Sequence, residues 1–324
     1  MVGKIKGTGS YRPVQVWDND KLSHMMDTSD EWIRGRTGIG QRRIASGGET
    51  VAYMAARAAE EALSDAGMRP EEIDLLLVST MSSERIMPCA ACEVQKLIGA
   101  VNAACFDLNG ACTGFLLALN TAQAYLGQQI YRRALVIGSE TLSHLTNWKD
   151  RSTCVLFGDG AGAVVLEAEE NAVYIQAVHS IGSRGEALTC VSRNQQQFIE
   201  KDADISSTYM QMDGKEVFKF AVSKVPEVIM EVLEKAGKTK EEIRFYMFHQ
   251  ANKRIVASVA KHMNEPLEKY PMNIENLGNT SSASIPLLLD EWNRAGKLKK
   301  GQHLVLCAFG AGLTTGLAAL DWDI

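Results

Sequence analysis

The chain has 324 residues, enough for one large domain or two modest ones. Apolar residues make up 46% and charged residues 23%, as in an ordinary globular enzyme, and a formal charge of −5 leaves no broad basic surface for nucleic acid. No apolar run reaches membrane-spanning length, and Met1-Val-Gly-Lys-Ile-Lys-Gly holds no apolar signal segment, so a cytoplasmic protein acting away from membranes is expected. Seven cysteines (89, 92, 105, 112, 154, 190 and 307) are scattered through the chain, which fits reduced thiols better than a disulfide framework. Cys89-Ala-Ala-Cys92 has no second pair beside it, so no metal site is expected and no redox role is assigned to it.

Residues 4–10 read as a strand that opens into a turn at Pro13. Thr28-Ser-Asp-Glu31 has the form of a capping box, starting a helix through Trp32 and Arg34. Thr50 to Ala66 is an alanine-rich helix closed by Gly67. Asp74 to Thr80 is a continuous apolar strand, of the kind found in a sheet covered on both faces. A helix from about Ala90 to Leu97 leads to a buried strand, Ala103 to Leu108. After Asn109-Gly110 the pattern turns helical, with Phe115, Leu116, Leu119, Ala122 and Leu126 on one side.

Cys112 lies at that changeover, between Gly110 and Gly114. A Gly-x-Cys-x-Gly turn from strand to helix bends sharply and presents the thiol at a helix N-terminus, where unpaired N–H groups favour the thiolate. Two readings stay open for it: a buried structural cysteine, or a nucleophile with a depressed pKa. Further on, Ala134 to Ser139 is a strand. Phe157-Gly-Asp-Gly-Ala-Gly162 runs into another strand; a phosphate loop would need a helix there, so the glycines form a tight turn. Residues 183–212, with Gln195-Gln-Gln-Gln-Phe198, form the least regular stretch, an expected excursion over a site or an interface. Helices are expected over Val217 to Ala236, Lys253 to Met263 and Ser282 to Ala295, and strands over Ile243 to Phe248, Leu304 to Ala308 and Thr314 to Leu320.

The order βαβαβ occurs twice, and the letters repeat with it. Glu61-Ala-Leu-Ser-Asp-Ala-Gly67 aligns with Glu231-Val-Leu-Glu-Lys-Ala-Gly237 at an offset of 170, and Glu71-Glu-Ile73 with Glu241-Glu-Ile243. At the same offset Asn109 falls on Asn279, and the Cys112 turn on Thr280-Ser-Ser-Ala283. The chain therefore divides into similar halves, 1–171 and 172–324. Equivalent strand ends should face one site, because α/β ligands bind at the carboxyl ends of strands. In the second half those ends carry His249, Asn279 and Gly310-Ala-Gly312. Each alone reads as a hydrogen-bonded or turn residue. Placed together opposite Cys112, thiol, imidazole and amide form a constellation for acyl transfer.

These residues carry a family resemblance. Asp27-Thr-Ser-Asp-Glu-Trp-Ile33, Arg36-Thr-Gly38, the Ala-Cys112-x-Gly-Phe115 turn, Phe157 to Gly162, His249-Gln-Ala-Asn252, Gly278-Asn-Thr-Ser281 and Phe309-Gly-Ala-Gly312 together resemble β-ketoacyl-acyl-carrier-protein synthase III. The resemblance implies an α/β thiolase-like fold, its duplicated halves packed pseudo-symmetrically as a layered αβαβα core. It also implies a homodimer and the initiating condensation of bacterial type II fatty acid synthesis. There a short acyl-CoA, a substrate and not a tightly bound cofactor, primes the cysteine before malonyl-acyl carrier protein decarboxylates and attacks. By motif, Cys112 resembles the acylated nucleophile, and His249 and Asn279 the pair that stabilises the enolate. The backbone N–H groups of Cys112 and Ala311 would form the oxyanion hole, with Ala311 standing where the family has glycine. Trp32, Arg36, Arg151 and Asn252 resemble CoA contacts. Gln250, Ala251, Asn252, Lys253 and Arg254 resemble the carrier-protein docking segment, and Met87 and Phe309 the acyl pocket.

Other readings compete. A cysteine α/β-hydrolase shares the Gly-x-Cys-x-Gly elbow, but its histidine belongs near the C-terminus, whereas a further βα unit and a strand follow His249. A non-catalytic assembly partner should have lost one of Cys112, His249 and Asn279. A synthase III-like acyltransferase of secondary metabolism would keep all three.

Overall fold

A computed structural model describes residues 1–170, 172–191 and 208–324. The Gln195 to Phe198 run lies outside the described residues. In chain order come β1 (Val2–Tyr11), β2 (Gln15–Asp18), α1 (Asn19–Ser23), α2 (Asp30–Thr37), β3 (Gln41–Ile44) and α3 (Val51–Ala66). Next are β4 (Leu75–Ser79), α4 (Ala90–Ile98), β5 (Ala104–Leu108), α5 (Gly114–Gly127), β6 (Arg133–Glu140) and β7 (Gly160–Glu169). Then follow β8 (Tyr174–Ser180), β9 (Leu188–Thr189), β10 (Gln211–Met212), α6 (Gly214–Ala236) and β11 (Ile243–Phe248). The chain closes with α7 (Lys253–Met263), α8 (Ile274–Leu277), α9 (Ser284–Arg294), β12 (His303–Gly310) and β13 (Thr314–Asp321).

One sheet runs β1-β7-β6-β4-β5, with β4 parallel to both β5 and β6, and β7 antiparallel to β6 and β1. The other runs β11-β12-β13-β8, with β11 parallel to β12 and β13 antiparallel to its neighbours. The strands are apolar on both faces because both faces are covered. Leu75 and Leu77 of β4 point into a middle layer with α5, α9, Phe245 and Leu306. Leu76 and Val78 point outward onto α3 and α4. In the second sheet Tyr246 and Phe248 face α6 and α7 on the far side. The result is five layers, αβαβα, as a thiolase-like fold requires.

The helix ends follow sequence chemistry. Thr50 caps α3 through the Tyr53 N–H, and Gly67 ends it in the left-handed region at φ 62°. At α2 the cap is Ser29, whose hydroxyl accepts the Trp32 N–H, and not Thr28 as the capping-box spacing suggests. Glycines of β1 let α3 lie directly on the sheet: a Cβ on Gly9 would sit 2.2 Å from the Ala58 carbonyl oxygen. The described part of 183–212 is more regular than expected, since β9 and β10 pair antiparallel after a 3-10 turn at Gly182–Ala187. At the offset of 170 the second half carries α8 where the first has β5, so its sheet has one strand fewer.

Gly9→Ala should destabilise the chain by about 1–3 kcal/mol through overpacking against backbone. Gly35→Ala, in a helix interior where an added Cβ would meet no heavy atom within 4 Å beyond its own helix backbone, should stabilise by about 0.5–1 kcal/mol. Urea unfolding midpoints check both.

Candidate active site

Cys112 sits in a one-turn 3-10 helix, Ala111–Thr113, between β5 and α5. The sharp bend belongs to Ala111, at φ 46°, and not to the flanking glycines, whose φ values are −135° and −58°. Gly110 and Gly114 serve packing instead: a Cβ on Gly114 would lie 2.1 Å from the Ser79 Oγ. A left-handed alanine is costly, and the Asn109 Oδ1 offsets part of that cost by accepting the Ala111 N–H at 3.3 Å. The second half builds the same turn at the offset of 170. Ser281 has φ 49°, and the Asn279 Oδ1 accepts its N–H at 2.9 Å.

These two turns meet. The Ser281 hydroxyl lies beside the Cys112 sulfur, although it completes no regular hydrogen bond. Gly310, at the end of β12, closes the other side; a Cβ there would stand 2.7 Å from that of Cys112. The adjoining Phe309 ring packs edge-on against His249, with centroids 5.4 Å apart. The His249 N–H donates to the Cys307 carbonyl at 2.8 Å, fixing the residue at the carboxyl end of β11. Asn279 is held by its backbone, donating to Leu156 at 2.8 Å while its carbonyl accepts from Gly158 at 3.0 Å. With Oδ1 occupied, its amide nitrogen is the group left to act as a donor. Ala311 follows Gly310 without a positive φ, so an alanine is tolerated there, and its carbonyl accepts from the Thr314 hydroxyl at 3.0 Å.

Burial decides the protonation states. Cys112 is 7% exposed, and desolvation pushes its thiol up to about 11, helped by the buried Glu140 and opposed by Ser281. The expected depressed thiol pKa is therefore corrected: in the resting chain desolvation exceeds what the helix end offers. His249 is 1% exposed, and burial lowers its imidazole to about 3, so it is neutral with an unpartnered Nδ1. Glu140 escaped sequence reasoning. It is fully buried, and desolvation raises it to about 7 while hydrogen bonds from Ser82 and from Ser282 at 2.7 Å hold it. Its signal was a carboxylate closing the apolar run Ala134–Gly138, in Ser139-Glu-Thr141.

The outer residues divide. Arg36 and Arg151 both lie over the half-buried Trp32 indole, at 5.0 and 4.8 Å from its centroid. Arg151 also donates to the Asp27 carbonyl at 2.7 Å. Asn252 caps α7 by accepting the Arg254 N–H at 2.8 Å and donates to the Arg36 carbonyl at 3.1 Å. Lys253 and Arg254 are exposed and Ala251 is half-buried. Gln250 is withdrawn from any docking surface: it is 1% exposed and its amide is spent on Phe248, Pro271 and Asn273. Phe309 is buried, whereas Met87 is 81% exposed. Among the described residues no cluster of His, Cys, Asp and Glu could hold a metal ion, and no helix is long and apolar enough to cross a membrane.

The chain is similar to known proteins. The family described as 3-oxoacyl-[acyl-carrier-protein (ACP)] synthase III matches residues 106–183, and its C-terminal counterpart matches 233–322. A β-ketoacyl-[acyl-carrier-protein] synthase III of Clostridium acetobutylicum is 45% identical over 320 residues, covering 98% of each chain. The crystal structure of 3-oxoacyl-[acyl-carrier-protein] synthase III from Aquifex aeolicus is 43% identical, with a TM-score of 0.92 over 99% of this chain and 100% of that one. A priming β-ketosynthase from a polyketide biosynthetic pathway is 36% identical, with a TM-score of 0.92 over 99% of this chain and 96% of that one. Fold and likeness together define a condensing acyltransferase of the thiolase fold. Within that class, the chain belongs to the 3-oxoacyl-[acyl-carrier-protein] synthase III family.

The buried imidazole makes a pH prediction. His249 titrates near 3 when folded and near 6.5 when unfolded, so the unfolded chain binds more protons between those values. Its contribution to stability is complete above pH 6.5 and falls as pH drops toward 3. Denaturation midpoints of the wild type should fall over that window more steeply than those of His249→Asn.

Proposed function

We propose that the chain performs the initiating condensation of type II fatty acid synthesis, with the work divided between its halves, 1–171 and 172–324. First the Cys112 sulfur attacks the thioester carbonyl of a short acyl-CoA. A new C–S bond forms, the CoA thiolate leaves, and the thiol proton goes with it. The N–H groups of Cys112 and Ala311 hold the oxyanion. Malonyl-acyl carrier protein then binds and loses CO2. His249 and the Asn279 amide donate to its thioester oxygen as that becomes an enolate, and the carbon attacks the Cys112 acyl group. The Cys112 thiolate is expelled as 3-oxoacyl-acyl carrier protein forms, and a proton from water restores the thiol.

The observation that carries this reading is the meeting of the Cys112 turn with the Asn279–Ser281 turn and with Gly310, next to the Phe309 ring that packs on the buried, neutral His249. Two uncharged N–H donors in a dry site strengthen as charge grows on the enolate oxygen, without holding a charge before it forms. The raised Cys112 thiol fits a sulfur that gives up its proton during acylation and not before.

CoA docks through Trp32, Arg36 and Arg151. A ring held between indole and guanidinium needs about 7 Å, two contacts of about 3.5 Å, so Arg151 at 4.8 Å must lift to admit adenine. Asn252 supports this site by bracing Arg36. Ala251, Lys253 and Arg254 face the acidic carrier protein. The working form is a cytoplasmic homodimer, in which the exposed Met87 closes the acyl pocket of the second copy while Phe309 walls the pocket of its own chain. A second reading, priming for secondary metabolism, is favoured by the likeness to the polyketide ketosynthase. Mass identification of products made with acyl-CoA and malonyl-carrier protein separates the two.

His249→Ala and Asn279→Ala should each lose condensation on the order of 10²–10³-fold while retaining Cys112 self-acylation. Rapid-quench labelling with acyl-CoA checks this, and equal loss of both half-reactions would overturn the assignment. Trp32→Ala should raise KM for acyl-CoA and leave malonyl-carrier-protein kinetics nearly unchanged, read from initial rates.

A further inference from the structure

The Cys89-Ala-Ala-Cys92 pair has no part in the condensation, yet its geometry is specific. Cys89 is the N-cap of α4 and Cys92 its third helical residue, so both side chains rise from one face of the first turn. Their sulfurs are 3.4 Å apart, and both residues are half-buried. The first N–H groups of α4, from Ala90 and Ala91, are each taken by the Asp107 carboxylate at 2.8 Å, which holds the turn in place. The hydrogen bond with Cys89 and burial push the Cys92 thiol up, and Cys89, at the N-cap and the start of the turn, is assigned as the attacking sulfur. A third thiol, Cys105 on β5, stays out of the chemistry: burial raises it to about 12 and its sulfur bonds the Ala103 carbonyl at 3.3 Å.

We propose that Cys89 and Cys92 form a redox-active dithiol, closed to a disulfide by exchange with a low-molecular-weight disulfide. The Cys89 thiolate attacks one sulfur of the small disulfide and expels one small thiolate, leaving a mixed disulfide. The Cys92 sulfur then attacks Cys89, gives up its proton and expels the second. The pair loses two electrons and two protons, and one small disulfide becomes two small thiols. No other bond changes, and Cys112 is untouched. Closure staples the first turn of α4 directly after the Met87-Pro88 step.

Oxidised glutathione is the probe. The folded full-length chain is incubated with it, quenched in acid, alkylated and digested with trypsin. Cleavage after Arg85 and Lys96 leaves both cysteines in one peptide, residues 86–96. That peptide should emerge unalkylated and lighter by two hydrogen atoms, and dithiothreitol should restore its two alkylation sites. Cys92→Ser should instead trap a glutathione adduct on Cys89, and Cys89→Ser should leave Cys92 free. The proposal is overturned by a doubly alkylated wild-type peptide at oxidant levels that modify the exposed Cys190. A persistent adduct on wild-type Cys89, or a Cys92–Cys105 cross-link, would overturn it equally.

Discussion

The site depends on how closely two left-handed turns approach each other. Ala111 and Ser281 hold matching φ values, 46° and 49°, each braced by an asparagine two residues earlier. One turn presents a thiol; its twin presents Ser282, whose hydroxyl bonds Glu140 and the Ser79 carbonyl. A Cβ on Gly138 would stand 2.4 Å from the Ser282 carbonyl oxygen, so no larger residue fits between β6 and the second turn. The same asparagine geometry therefore has two outcomes. Asn109 is exposed and serves its turn alone. Asn279, buried against Phe157 and Leu156, serves its turn through Oδ1 and leaves its amide nitrogen free to donate.

Burial then sets the electrostatics in opposite directions for the two reactive groups. It holds the thiol proton on and the imidazole proton off, which keeps the resting site free of charge on both. Glu140, the buried carboxylate between the halves, has no cation beside it among its hydrogen-bond partners and relies on hydroxyl and backbone donors. Removing water strengthens every donor aimed at a developing negative charge.

The architecture was legible in the letters because strands covered on both faces must be apolar throughout, and helices between them must be amphipathic. The offset of 170 matched the Cys112 turn to the Asn279 turn and put His249 at the end of a strand, but the expected strand end at Asn279 is replaced by α8. Where the letters misled, a short-range contact had decided the matter. Glycines around Cys112 suggested a glycine bend, but they were needed for close packing, and an alanine took the bend. Gln250 lay in a polar segment, yet three backbone groups claimed its amide and drew it inside. The helix-end argument for Cys112 was sound locally and was outweighed by desolvation, which no local pattern reveals. Glu140 was passed over because a lone acid after a strand looks like a solvated end.

The stacked Trp32 and Arg151 have a consequence for anyone seeking inhibitors. In the resting chain the guanidinium lies 4.8 Å from the indole centroid, so no flat ring fits between the two as they stand. A cavity of about 500 Å³ lies elsewhere, among Ser10, Arg12, Glu61, Asp290 and Arg294, where the charges already satisfy one another. Screening by shape against the closed form would find no gap between the guanidinium and the indole. A compound library would do better if it were posed against a conformer in which the guanidinium has swung clear of the indole.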